Sequence, residues 1–103
     1  MIYRRRANIA WREEKEARQD VVEALEEGRD AGEEGTLILV DAGQIFELNL
    51  LGADIWKLCD GRRRLADIVD GLLEEYDVER EELERDVQVF LEEMKERGWL
   101  ETE

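Results

Sequence analysis

A chain of 103 residues, 43% hydrophobic and 43% charged, carries enough apolar mass for one modest core and too much for a disordered segment. Its formal net charge of −14 repels phosphate backbones, and no apolar run approaches the roughly 20 residues of a membrane span. There is no His, no Ser and no Pro, and Cys59 is the only cysteine, which excludes Ser–His and Cys–His nucleophiles, Cys/His zinc sites and internal disulfides.

The first expected element is an edge strand in the mixed run Asn8-Ile-Ala-Trp11. Glu13 to Gly35 is dense in charge. Within it Ala17, Val21 and Leu25 recur every four residues with Val22 beside them, and Glu14 stands four before Arg18, the favourable order for a helical ion pair. This predicts a helix over 14–27, with a charged hairpin insertion as the competing reading. Thr36-Leu-Ile-Leu-Val40 and Gln44-Ile-Phe-Glu-Leu48 read as two strands joined by the turn Asp41-Ala-Gly43. Asn49 is a helix cap for a segment beginning at Leu50 and stopping at Asp60-Gly61, where Gly suits the position after a helix.

Leu65, Ile68, Val69, Leu72, Leu73 and Tyr76 fall on one continuous helical face. A last helix runs from Glu79 to Arg97-Gly98 with Leu83, Val87, Phe90 and Met94 as its core stripe, acids in its first turn and bases in its last. Trp99-Leu100 follows as a short extended segment. Carboxylates abound, but beside Lys or Arg on helix surfaces they read as solvated faces. No P-loop, dinucleotide turn or calcium loop is spelled. The chain therefore reads as a binding module and not an enzyme, with no catalytic residue, no cofactor and no metal.

Leu48-Asn49, Gly52-Ala53, Ile55-Trp56, Asp60-Gly61, Ile68-Val69, Leu72, Tyr76, Asp86-Val87, Phe90-Leu91 and Gly98-Trp99-Leu100, in this order and spacing, resemble the PqqD family. Trp11-Arg12, the charged insertion and Trp56-Lys-Leu-Cys-Asp-Gly61 more narrowly resemble the PqqD-like proteins of the GeoRSP peptide-modification systems. The resemblance implies an α+β, winged-helix-like fold in which a three-stranded antiparallel sheet is followed by three helices. Residues 36–101 would form the PqqD-like peptide-recognition domain, and residues 1–35 an N-terminal edge strand plus a charged, helical insertion. It also implies a role: binding a ribosomally made precursor peptide through its leader and presenting it to a radical SAM/SPASM enzyme, in the cytoplasm. One departure is Arg62-Arg-Arg64 where the family often places Thr or Ser as a cap; the helix after it must be capped otherwise or fray.

In the family the peptide adds as a strand to the third strand and lies beside the third helix, elements that correspond here to Gln44–Asn49 and roughly Glu82–Arg97. Strand addition needs open backbone groups rather than reactive side chains. Alternation sends Phe46 and Leu48 to one face of the strand, with Phe46 read as core, and Ile45 and Glu47 to the other. A projection at about 100° per residue from Leu83 sets Asp86, Glu93 and Arg97 to one side of the core stripe, with Val89 farther round. The candidate peptide-binding residues are thus Gln44, Ile45, Phe46, Glu47, Leu48, Asn49, Asp86, Val89, Phe90, Glu93 and Arg97. Trp11, Trp56 and Trp99 read as core or rim packing, and Cys59, next to a helix end, as a small core residue.

Two other readings compete. A winged-helix DNA-binding regulator would share the fold, but the last helix carries eight acids against four bases, a poor complement to phosphate. A structural partner subunit of the enzyme, without direct peptide contact, would use the same surfaces. An open edge strand also permits a homodimer.

Overall fold

The computed structural model describes residues 1–103, which divide into two compact units: Ala7–Ala53, and Met1–Arg6 together with Asp54–Glu103. The fold is α+β, with four helices and two three-stranded antiparallel sheets.

In the unit Ala7–Ala53, strands β2 (Ala10–Glu13), β3 (Leu37–Asp41) and β4 (Gln44–Leu48) form a sheet in the order β2-β3-β4. The apolar run of β3 buries Leu37 and Leu39 on one face, while Ile38 is half-buried and Val40 exposed on the other. Helix α1 (Lys15–Glu26) fills the charged insertion, and the hairpin alternative is absent. Its inward residues are Val21 and Ala24, which cluster with Ala31 and Leu50. Leu25, expected in the stripe, is 42% exposed, because Ala24 lies three after Val21 and closes the narrow face by itself. Arg18 pairs with Glu13 at 3.4 Å, not with Glu14, whose carboxylate is taken by Arg12 at 2.8 Å. The helix ends where Gly28 adopts a positive φ and the Arg29 N–H reaches back to the Ala24 carbonyl.

Helix α2 (Leu50–Leu58) begins as expected, with the Gly52 N–H donating to Asn49 Oδ1 at 2.9 Å. It stops at Leu58, earlier than expected. Gly61 is not its terminator: its φ of +82° sits inside a strand, β5 (Asp60–Arg64), beside a register shift against β1 (Ile2–Arg5).

In the other unit β1 is the middle strand of the sheet β5-β1-β6, with β6 spanning Leu100–Thr102. The segment Trp99-Leu100 is thus extended as expected, whereas β1 and β5 were not expected at all. Strand β5 feeds directly into helix α3 (Leu65–Leu73), which buries Ile68, Val69 and Leu72 and packs on α4 (Arg80–Glu96). Arginine has no acceptor to cap a helix, and Asp67 takes over: its Oδ2 accepts from the Arg64 N–H at 3.1 Å. The α3 pattern overshoots, since Tyr76 lies beyond the helix and donates its hydroxyl to buried Asp54 Oδ2 at 2.7 Å.

On α4 the buried residues are Leu83, Val87, Leu91 and Met94. Phe90, expected in that stripe, is half-buried, and Leu91 replaces it. Trp56, Trp99 and Cys59 are buried, and Trp11 is 39% exposed. The Cys59 thiol donates to the Ile55 carbonyl at 3.3 Å, and burial, partly offset by Arg5, pushes its pKa up to about 12.

Candidate functional site

The turn between β3 and β4 decides what the end of the sheet presents. Asp41 pairs with Gln44, leaving Ala42 and Gly43 as a two-residue loop, and both have positive φ, +50° and +82°. That is the primed turn whose twist suits a hairpin. In such a hairpin the closing pair Asp41–Gln44 exchanges both backbone bonds, and every second pair after it does the same. Leu39–Phe46 and Leu37–Leu48 are therefore the bonded pairs. The N–H and C=O groups of Ile45 and Glu47 then point away from β3. Because β4 is the last strand of the order β2-β3-β4, they point to an open edge.

Side chains along β4 follow the expected alternation. Leu48 is buried and Phe46 half-buried on one face, while Ile45 is 70% exposed and Glu47 exposed on the other. Gln44 is exposed, and the Asn49 side chain is committed to the α2 cap. Of the strand residues named from the sequence, Ile45 and Glu47 offer both backbone and side chain, whereas Leu48 offers no free side-chain surface. The outward face also holds residues the candidate set did not include. Val40 stands opposite Ile45 and is 37% exposed, and Ile38 stands opposite Glu47. Extending the two-residue period from β4 to β3 points to both.

In the other unit, α4 carries the second group of candidates. Asp86, Glu93 and Arg97 are exposed, and Val89 is 60% exposed. Arg85, Gln88, Val89, Glu92, Glu93 and Glu96 line a shallow hollow of about 450 Å³. It includes Val89 and Glu93 of the expected set but neither Asp86 nor Arg97. Three carboxylates against one guanidinium give it a negative lining. The Arg97 guanidinium stacks over the Trp99 ring, 5.0 Å from its centroid. The half-buried Phe90 stands at the border of this flank. No group of three or more His, Cys, Asp or Glu side chains is placed to hold a metal ion, and no helix is long and apolar enough to cross a membrane.

The profile of the family described as Coenzyme PQQ synthesis protein D (PqqD) matches residues 34–100, well over half of the chain. The PqqA binding protein of Rhodopseudomonas palustris (strain TIE-1) is 38% identical over 50 residues, 48% of this chain, and the match spans about half (49%) of that protein's length. The fold superposes on a lasso peptide synthetase B1 complexed with its leader peptide, with TM-score 0.67 and 24% identity over 99% of this chain and all (100%) of that one. It also superposes on the solution NMR structure of the PqqD truncation of Methylobacterium extorquens PqqCD, which represents a functional, stand-alone recognition element for ribosomally synthesized and post-translationally modified peptides. That likeness has TM-score 0.67 and 20% identity, covering 98% of this chain and 89% of the other.

Proposed function

This chain belongs to the PqqD family, and on that premise we propose that it binds the leader of a ribosomally made precursor peptide and presents it to a modifying enzyme of the radical SAM/SPASM class. It acts as a binding protein, not a catalyst. The observation that carries this reading is the open β4 edge, with the backbone groups of Ile45 and Glu47 directed outward. An extended peptide gains main-chain hydrogen bonds there, and side chains on either face of β4 supply selectivity. The relatives named for binding PqqA or for holding a leader peptide support the same reading. Asp86, Val89, Phe90, Glu93 and Arg97 are the second proposed contact. DNA finds nothing comparable, since α4 is acidic along its length.

The test uses one substitution chosen for its backbone effect. Glu47→Pro removes an outward N–H without removing a bond to β3, which proline tolerates at a sheet edge. Titration of the full chain with a leader peptide that the unaltered chain binds, read by tryptophan fluorescence, should show about ten-fold or greater weakening for Glu47→Pro, one hydrogen bond plus its register. Methylation of alternate peptide amides should reproduce the loss from the other side. Full affinity in both experiments refutes strand addition. Charge reversal at Asp86 and Glu93 should weaken a basic leader, and an unchanged affinity removes α4 from the contact.

A further inference from the structure

Strands β2, β3 and β4 place their outward side chains in two cross-strand rows. Ala10 stands beside Val40 and Val40 beside Ile45; Arg12 stands beside Ile38 and Ile38 beside Glu47. The first row is entirely apolar and exposed: Val40 is 37% and Ile45 70% accessible, and Ala10 is open as well. It stops at the strand edge with its most exposed member. The second row is polar at both ends. Its Arg12 is engaged, paired with Glu14 at 2.8 Å. Its Glu47 carboxylate has no ion-pair partner, and the side chain leans over Gly35, where a Cβ would stand 3.0 Å from its Oε2.

Ile45 and Glu47 are also the two residues whose backbone groups face the open edge. Whatever strand pairs there must set one side chain next to Ile45 and, two residues along, another next to Glu47, both on the outward face. We infer that this outward face is a two-position reader, which selects an extended peptide bearing a large apolar residue against Ile45 and a Lys or Arg against Glu47, spaced i, i+2. The inference rests on the proposal of strand addition at β4 and adds the peptide's chemistry. The apolar residue continues the row Ala10–Val40–Ile45 and covers its exposed end. The cation answers an unpaired carboxylate on a chain of net charge −14. The order of the two is set by direction. A peptide antiparallel to β4 passes Glu47 first and reads Lys/Arg-x-apolar, whereas a parallel one reads apolar-x-Lys/Arg.

The experiment is display selection of randomised twelve-residue peptides on the immobilised full chain, followed by affinity measurement of the enriched sequences. The pair should dominate the pool, in one order only. Replacing the selected Lys or Arg by Glu should weaken binding about three- to ten-fold, as expected when a cross-strand pair changes sign. Selection on Glu47→Lys should return Asp or Glu at the same position. On Ile45→Thr the apolar preference should fade while the charged one stays. Both side chains are exposed, so these variants leave the core intact, which circular dichroism verifies. Enriched peptides that lack the pair, or pools unchanged by Glu47→Lys, overturn the inference and leave strand addition standing. Failure to enrich any peptide above a heat-denatured control overturns strand addition and the inference with it.

Discussion

Cys59 illustrates what complete burial does to an ionisable group in this fold. Its thiol is fully enclosed and donates to the Ile55 carbonyl, and desolvation raises its pKa from 9.0 to about 12. The folded state therefore holds a proton that the unfolded chain releases earlier. Stability from this site is complete below pH 9 and is lost as pH rises towards about 12, by about 1.4 kcal/mol per pH unit in that window. Urea midpoints measured from pH 8 upward should fall for the native chain, and more shallowly for Cys59→Ala. Parallel slopes for the two would show that the thiol is not responsible. Tyr3, raised chiefly by burial and then by Glu92, has the same sign, which is why the comparison needs the variant. The absence of His, Ser and paired Cys gave the sequence its firmest residue-level statement. Two burial placements it missed, Leu25 and Phe90, were both decided by neighbours. On α4, Leu91 lies about 80° round from Leu83. It turns the buried stripe away from the Val89 side and leaves Phe90 at the border.

At the scale of elements, periodicity made β3, β4, α3 and α4 legible, and Asn49 marked the start of α2 correctly. Strands β1 and β5 escaped because their sequences, Ile-Tyr-Arg-Arg and Asp-Gly-Arg-Arg-Arg, contain almost no apolar alternation. Pairing partners, not local preference, make them strands. The outward face of β4 was legible for the same reason: alternation alone puts Ile45 and Glu47 on it, whereas Val40 and Ile38 join that face through a register no single strand displays. The hairpin that fixes this register is itself imperfect. Ala42 occupies a left-handed conformation at φ +50°, which disfavours a residue with a Cβ. Ala42→Asn should stabilise the chain by about 0.5–1 kcal/mol in urea unfolding, since Asn-Gly is the preferred pair for this turn. A loss of stability would contradict the turn geometry and, with it, the assignment of which β4 backbone groups face outward.

At the scale of the whole molecule, β1 joins residues that lie at opposite ends of the sequence. It pairs with β6 as well as β5, and the backbones of Ile2 and Glu103 exchange two hydrogen bonds at 2.9 Å each. In polymer terms the chain is a nearly closed ring, and closing a ring of about a hundred residues costs about 4 kcal/mol of chain entropy. The strand at the centre of one sheet is thus the contact with the greatest sequence separation, the kind that slows folding. Joining residues 103 and 1 through a short Gly/Ser linker should raise stability by about 2–4 kcal/mol and speed refolding, because the ends no longer have to find each other. The same ring makes these residues a candidate for circular permutation: new ends opened near the exposed segment Glu33–Glu34 would leave β1 where it is while moving it to the middle of the permuted sequence.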